Sequence, residues 1–271
     1  MLSGFSSQHY YEKMNDALIR LNNNEQTMLH YPYYGNLSDD FLQSQKNLTD
    51  HCLYKLGSLK DKSVLEIGCG NGVQTYYIYH KYKPAQITGI DLNPGNIAIA
   101  KQNKTPQERK FIKFSVDDAQ SLQNIKSNTI DVVLNIESAF HYPSKEAFLK
   151  EIHRVLRPGG QFLIADILTK SNHNYLFKRK WKKKMSLHHW HQTDYESGLP
   201  ASKLKITQFE DITHKVIQSF KNYRSWIDKM KKKQFLEDLT FRLFFIINAR
   251  LNIILLQNRR KYMIFVGERV K

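Results

Sequence analysis

The sequence predicts an α/β domain, doubly wound around a mostly parallel sheet. Three observations carry that class. Short β-rich runs alternate with helix-forming stretches between residues 61 and 170. The first run opens directly into glycines at alternate positions, Gly68, Gly70 and Gly72. The second run ends on an acid, Asp91. Such alternation is the signature of βαβ units. Open sheets of these units bind ligands beyond the carboxyl ends of their strands.

Taken in order, residues 10–60 read as helical and polar-aromatic. Strands are expected at Ser63–Ile67, Gln86–Ile90, Phe111–Val116, Ile130–Leu134 and Gln161–Ala165. Helices are expected from Val73, from near Pro94 and over Glu146–Leu156. Pro158-Gly159-Gly160 reads as a hard turn before the fifth strand. Residues 171–200 read as basic and irregular. Ile206–Ile212 reads as a sixth strand, residues 214–258 as mostly helix, and Tyr262–Val266 as a closing strand.

Composition narrows the function classes. The chain has 271 residues, 41% of them apolar, which is enough for a core and excludes wholesale disorder. Its two cysteines, Cys52 and Cys69, exclude a disulfide framework and a four-cysteine zinc site, and fit a reducing compartment. The N-terminus shows no secretory pattern. The longest apolar stretch, Leu243–Leu256, is broken by Asn248, Arg250 and Asn252, so no membrane span is expected and a cytoplasmic location follows. The net charge of +16 is concentrated in residues 171–271, where 22 Lys and Arg face 8 Asp and Glu. That asymmetry points to an anionic partner: nucleic acid, a lipid surface or a phosphorylated substrate.

The sharpest motif is Val64-Leu-Glu-Ile-Gly-Cys-Gly-Asn-Gly72. Glycines let the backbone turn tightly and approach a ligand, with amides and a helix N-terminus facing it. The spacing is Gly-x-Gly-x-Gly rather than the Gly-x-Gly-x-x-Gly of dinucleotide sites, and Glu66 stands two positions earlier. Asp91 suits the hydroxyls of a ribose or, alternatively, a cap for the next helix. Asp118, after the third run, suits an adenine amino group or a polar turn.

With Ile130–Tyr142 and Arg154-Val-Leu-Arg-Pro-Gly-Gly160, these motifs resemble the class I S-adenosylmethionine-dependent methyltransferases. The resemblance implies a seven-stranded Rossmann-like sheet with the last strand antiparallel, helical cap insertions, and S-adenosylmethionine as cofactor. It implies that Gly68, Gly70 and Gly72 pass the methionine part and that Glu66 organises their loop. Asp91 would hold the ribose and Leu92 would pack on the adenine. Asp118 and Ala119 would contact the adenine edge, and Asn135 would lie near the sulfonium. Asp117 departs from the family pattern, which often has glycine there. It further implies an N-terminal segment (1–60) over the site, a binding core (61–170) and basic cap segments completing the same domain (171–271).

Asn135-Ile-Glu-Ser-Ala-Phe-His-Tyr-Pro143 and Phe209–Thr213 resemble the subgroup acting on sterols, tocopherols, natural-product sugars and lipid phenols. Tyr31-Pro-Tyr-Tyr-Gly35 resembles its aromatic stretch over the site, which makes Tyr33 and Tyr34 lid residues. For a hydroxyl acceptor, His141 is the candidate proton acceptor. A helical turn would place Glu137 on its face to orient the imidazole. No metal site is expected: His188-His-Trp-His191 lacks an acidic or cysteine partner.

The basic clusters Lys178–Lys184, Lys229–Lys233 and Arg259–Lys261 flank an apolar helix. They suit an anionic membrane surface. That helix would otherwise pack on the protein or on a second subunit in a homodimer. The expected function is methylation of a small hydrophobic or lipid-like acceptor at a hydroxyl, with carbon and nitrogen acceptors as alternatives. An RNA methyltransferase is the other alternative, disfavoured because Asn135-Ile-Glu-Ser138 stands where base-amine enzymes usually carry Pro-Pro-aromatic.

Overall fold

In the computed structural model, residue 19 and residues 26–36, 38–102, 105–170, 187–229 and 235–270 are described. Strand β1 (Ser63–Ile67) is buried at every position, as befits a strand covered on both faces. It pairs in parallel with β2 (Gln86–Asp91) on one side and β4 (Ile130–Ile136) on the other. β3 (Ile112–Val116) continues beyond β2, and β5 (Leu156–Thr169) lies beside β4, both parallel. The last strand, β7 (Arg260–Arg269), inserts antiparallel between β5 and β6 (Leu204–Asp211). The spatial order is β3-β2-β1-β4-β5-β7-β6. Strand order therefore reverses between β1 and β4, and the crevice at that reversal is where such a sheet takes a ligand.

One face of the sheet is covered by α1 (Phe41–Tyr54), α2 (Val73–Tyr82), α3 (Pro94–Gln102), α6 (Thr213–Lys221), α7 (Tyr223–Lys229) and α8 (Phe235–Asn258). The other carries α4 (Lys145–Val155) and α5 (Gln192–Ala201). Asp40 caps α1 by accepting from the Gln43 amide at 2.6 Å, and the Ser144 hydroxyl caps α4 by accepting from the Ala147 amide.

Several local expectations are corrected. Residues 26–36 form no helix; they bend at Leu29 and His30, and Met28–His30 lie at the sheet's carboxyl edge. Pro158-Gly159-Gly160 is a bulge inside β5 rather than a turn before it. Arg157 and the three residues after it loop out opposite Asp131, because proline lacks an amide for the ladder and Gly159 sits at φ 77°. Residues 192–201 are helical, not irregular. A capping box between His191 and Asp194 starts α5, and Pro200 comes too late to break it. The clusters Lys178–Lys184 and, apart from its first residue, Lys229–Lys233 lie outside the described residues, as do residues 10–18 and 20–25 of the expected N-terminal helix. Helix α8 contains a stretch, Leu239–Asn258, that is long and apolar enough by length and composition to cross a membrane.

Candidate active site

The loop after β1, the end of β2, the loop after β3, the turn after β4 and residues 28–30 enclose a cleft of about 470 Å³. It opens at the sheet's carboxyl edge, beside the strand-order reversal.

Two glycines make the first wall possible. Gly68 sits at φ 79° and Gly70 at φ 54°, values that L side chains resist. A Cβ on Gly68 would collide with the Ser138 side chain, and one on Gly70 would press Leu29 at 2.9 Å. Gly72 does not face the cleft. It caps α2 against Ala100 and Phe114.

The loop amides are already committed. Gly68 and Cys69 donate to the Ile90 carbonyl at 2.8 and 2.9 Å, Gly70 to Asp91 Oδ2 at 3.0 Å, and Gly72 to the Cys69 carbonyl at 3.0 Å. The expectation that these N–H groups face the ligand is therefore corrected. No nest of amides is left at the glycines to hold a phosphate.

Asp91 sits at the centre. It also accepts from the Asn93 amide at 2.8 Å and Asn96 Nδ2 at 3.3 Å. Burial raises its pKa, opposed by those donors. Leu92 is exposed and lines the cleft, as do Asp118 and the buried Ala119. Asp118 accepts from the Gln120 amide at 2.9 Å. Asp117, in the place often held by glycine, organises the loop instead. It accepts from the amides of Asp118, Gln123 and Asn124.

Glu66 and Asn135 support the wall from behind. Glu66 accepts from the Thr75 hydroxyl at 2.5 Å, and its Oε1 is buried without a hydrogen-bond partner. Burial pushes its pKa up to about 8. Asn135 Nδ2 lies 3.0 Å from the Ile67 carbonyl, 2.7 Å from Ser138 Oγ and 3.0 Å from the Tyr142 hydroxyl. This joins the glycine loop to the turn after β4.

That turn carries the candidate catalytic groups. Glu137 is left-handed at φ 55°, and only Ala139–His141 form a short 3-10 turn. The expected helical face shared by Glu137 and His141 therefore does not form, although both side chains line the cleft. Glu137 turns to the N-terminal segment. Its Oε1 accepts from the Tyr31 amide at 2.6 Å, and burial pushes its pKa up to about 8. His141 is held through its neighbour. Asp166, fully buried, accepts from the Phe140 backbone, from the Ile167 amide and from the Tyr195 hydroxyl at 2.8 Å. The His188 amide donates to the Phe140 carbonyl at 2.6 Å, and Lys145 Nζ donates to the His188 carbonyl. The 188–191 histidine motif thus contributes to anchoring the turn. Among the described residues no three His, Cys, Asp or Glu are grouped to hold a metal.

Tyr33 and Tyr34 do not line the cleft. Tyr33 stacks on His51 at 4.6 Å, and Tyr34 lies under Lys215. Of the N-terminal segment, Met28, Leu29 and His30 line the cleft instead. His30 is buried and lowered to about 4, hence neutral. Asn71, Gln74, Gln120 and Tyr142 also line the cleft. Nothing in their spacing marks them in the sequence. The places of Asn71 inside the glycine motif and of Tyr142 inside the motif after β4 are the signals that could find those two.

The wall fits S-adenosylmethionine. It presents Asp91, Asp117, Asp118 and Glu137 and no Lys or Arg among the described residues, which suits a cationic ligand without phosphates. The glycine cradle at Gly68 and Gly70 leaves space that side chains would fill.

Comparison with known proteins agrees. The fatty-acid O-methyltransferase of Mycolicibacterium smegmatis is 39% identical over 116 residues, 43% of this chain and 41% of that protein. The phthiotriol/phenolphthiotriol dimycocerosates methyltransferase of Mycobacterium leprae is 37% identical over 110 residues, 41% of this chain and 39% of that protein. The match thus spans about two fifths of these relatives' length. Phosphoethanolamine N-methyltransferase 2 of Haemonchus contortus superposes with a TM-score of 0.80 at 14% identity, over 97% of this chain and 58% of that one. Geranyl diphosphate C-methyltransferase of Streptomyces coelicolor A3(2) gives 0.73 at 12% identity, covering 99% of both chains. The cyclase SpnF gives 0.73 at 19% identity, over 98% of this chain and 97% of that one, so these likenesses show the fold alone. A family model described as a methyltransferase domain matches residues 58–218, more than half of the chain. The chain belongs to that methyltransferase-domain family.

Proposed function

We propose that this enzyme transfers a methyl group to a hydroxyl of a hydrophobic, lipid-like small molecule, with His141 accepting the acceptor's proton. The observation that supports it most is the division of labour at the turn after β4. Glu137 is bonded to the Tyr31 amide and holds its proton near neutral pH, which leaves His141 as the group of that turn suited to accept one. Bound S-adenosylmethionine supplies an electrophilic methyl group on a sulfonium. The chain's own residues position and shield. Asp91 accepts hydrogen bonds from the ribose hydroxyls, Asp118 and Ala119 meet the adenine edge, and Leu92 covers it. Met28, Leu29 and His30 close the cleft against water. A lipid-like acceptor is supported by relatives named for fatty-acid and phthiotriol methylation. The same reading places the enzyme in the cytoplasm, at the periphery of an anionic membrane that its basic C-terminal third would meet.

Calorimetry tests the binding half of this reading. S-adenosylmethionine and S-adenosylhomocysteine should bind, and NAD should not. Replacing Asp91 with Ala should weaken cofactor binding by about 1–3 kcal/mol, the usual cost of losing a charged hydrogen-bond partner. Unchanged affinity in that variant, or tight binding of NAD, would contradict the assignment. Release of methylated lipid from fatty acids or long-chain alcohols, followed by mass spectrometry, tests the acceptor class.

A further inference from the structure

Helix α8 has two unlike faces. Phe241, Phe245, Ala249 and Leu256 are buried against the sheet and its neighbouring helices. The opposite face carries Leu239, Leu243, Phe244, Ile247, Leu251 and Ile254, each between 41 and 63% exposed. These positions fall on one stripe of a helix with 3.6 residues per turn. An exposed apolar stripe of this kind marks an interaction site.

We propose that this outer face of α8 is a lipid-docking surface that seats the enzyme on an anionic bilayer, an inference that deepens the lipid-acceptor reading and rests on it. The charge around the stripe selects the occupant. Exposed Arg250 lies on the stripe itself, and exposed Arg259 follows the helix directly, ahead of Arg260 and Lys261 at the start of β7. The chain as a whole carries +16. Basic groups beside an apolar helix face are drawn to anionic headgroups while the aliphatic side chains enter the acyl boundary. A second copy of the chain carries the same +16 and is repelled at long range.

A membrane span is the third occupant, and the fold argues against it. The inner face of α8 belongs to the core, and β7 starts at Arg260, two residues after the helix ends at Asn258. Crossing a bilayer would pull both out of place. A helix lying in the interface plane keeps them. The inner side of the helix is also tied to the site. The Tyr31 hydroxyl donates to Asn252 Oδ1 of α8 at 2.7 Å, and the Tyr31 amide donates to Glu137. A helix seated on lipid therefore holds the N-terminal segment beside the source of an apolar acceptor.

The test is co-sedimentation of the full chain with vesicles of phosphatidylcholine containing about a quarter phosphatidylglycerol, against vesicles of phosphatidylcholine alone. Wild-type protein should bind the anionic vesicles and lose binding as salt rises. The triple variant Ile247→Gln, Leu251→Gln and Ile254→Gln should bind about tenfold less or weaker still, because affinity scales with the apolar area inserted. Ile247→Trp, which keeps an apolar surface, should bind like wild type and shift its emission to the blue on vesicles. The proposal fails if the triple variant binds as well as wild type, if wild type binds neither vesicle, or if the triple variant only turns a dimer into a monomer. Cofactor titration of the same proteins separates the two readings. Vesicle binding without cofactor binding in wild type sinks the methyltransferase reading and leaves the docking face standing.

Discussion

Replacing His141 with Ala should lower turnover on a hydroxyl acceptor by about 10²–10⁴, the usual contribution of a positioned general base. Cofactor affinity should stay nearly constant. His141 lines the cleft beyond the glycine loop, while Asp91, Asp118 and Ala119 line the part that suits ribose and adenine. The split between turnover and cofactor binding is the informative readout, since a variant that merely unfolded the turn would lose both. The imidazole is held through the backbone of Phe140, which is pinned by Asp166 and His188. An alanine at position 141 leaves those anchors intact. Activity within a few-fold of wild type would remove His141 as the essential base. The acceptor would then be already ionised, or the reaction would rest on positioning alone. Asp166→Asn should produce a milder form of the same defect, because the turn would loosen without losing its imidazole.

Much of the fold was legible because its signals are local. The glycine spacing after β1 and the acid ending β2 each follow from chain geometry within a few residues. The antiparallel direction of β7 was legible only through family resemblance, since nothing in Tyr262–Val266 announces it, and its place between β5 and β6 was not legible. Errors arose where tertiary contact decides the local shape. Glu137 reads as the start of a helical turn, yet it adopts φ 55° and bonds the Tyr31 amide, 106 residues away in sequence. Tyr33 and Tyr34 carry the aromatic signal of a lid, but Tyr33 is taken up by His51 of α1 and Met28–His30 face the cleft instead. The glycine amides, expected to point at a ligand, are consumed by Ile90, Asp91 and Cys69. That last difference sharpens the chemistry, because a loop with its amides committed suits a sulfonium nucleoside better than a pyrophosphate.

The contribution of Glu137 to stability should fall as pH rises from about 5 to 9, and Glu137→Gln should remove that share of the pH dependence. The Glu137 carboxyl is pushed up to about 8 by burial, against an ordinary glutamate value near about 4.3. Between those values the unfolded chain has lost its proton and the folded chain still holds it. Folding then binds protons, so the stabilising difference is whole below the ordinary value and is lost as pH climbs through the folded one. At about 1.4 kcal/mol per pKa unit, the effect across the window is on the order of a few kcal/mol. Glu66, also raised to about 8, contributes a parallel share, which is why Glu137→Gln should reduce the slope without abolishing it. The glutamine retains an oxygen to accept from the Tyr31 amide, and its amide group faces the buried Tyr262 hydroxyl beside the present carboxyl. The Tyr31 contact should therefore survive while the titration does not. Thermal melts of both proteins at pH 6 and pH 9 read the difference directly. Wild type should lose more of its melting temperature between the two than the variant does. Parallel losses would show that the Glu137 carboxyl titrates at its ordinary value and is charged at neutral pH, and Glu137 would then compete with His141 for the role of base.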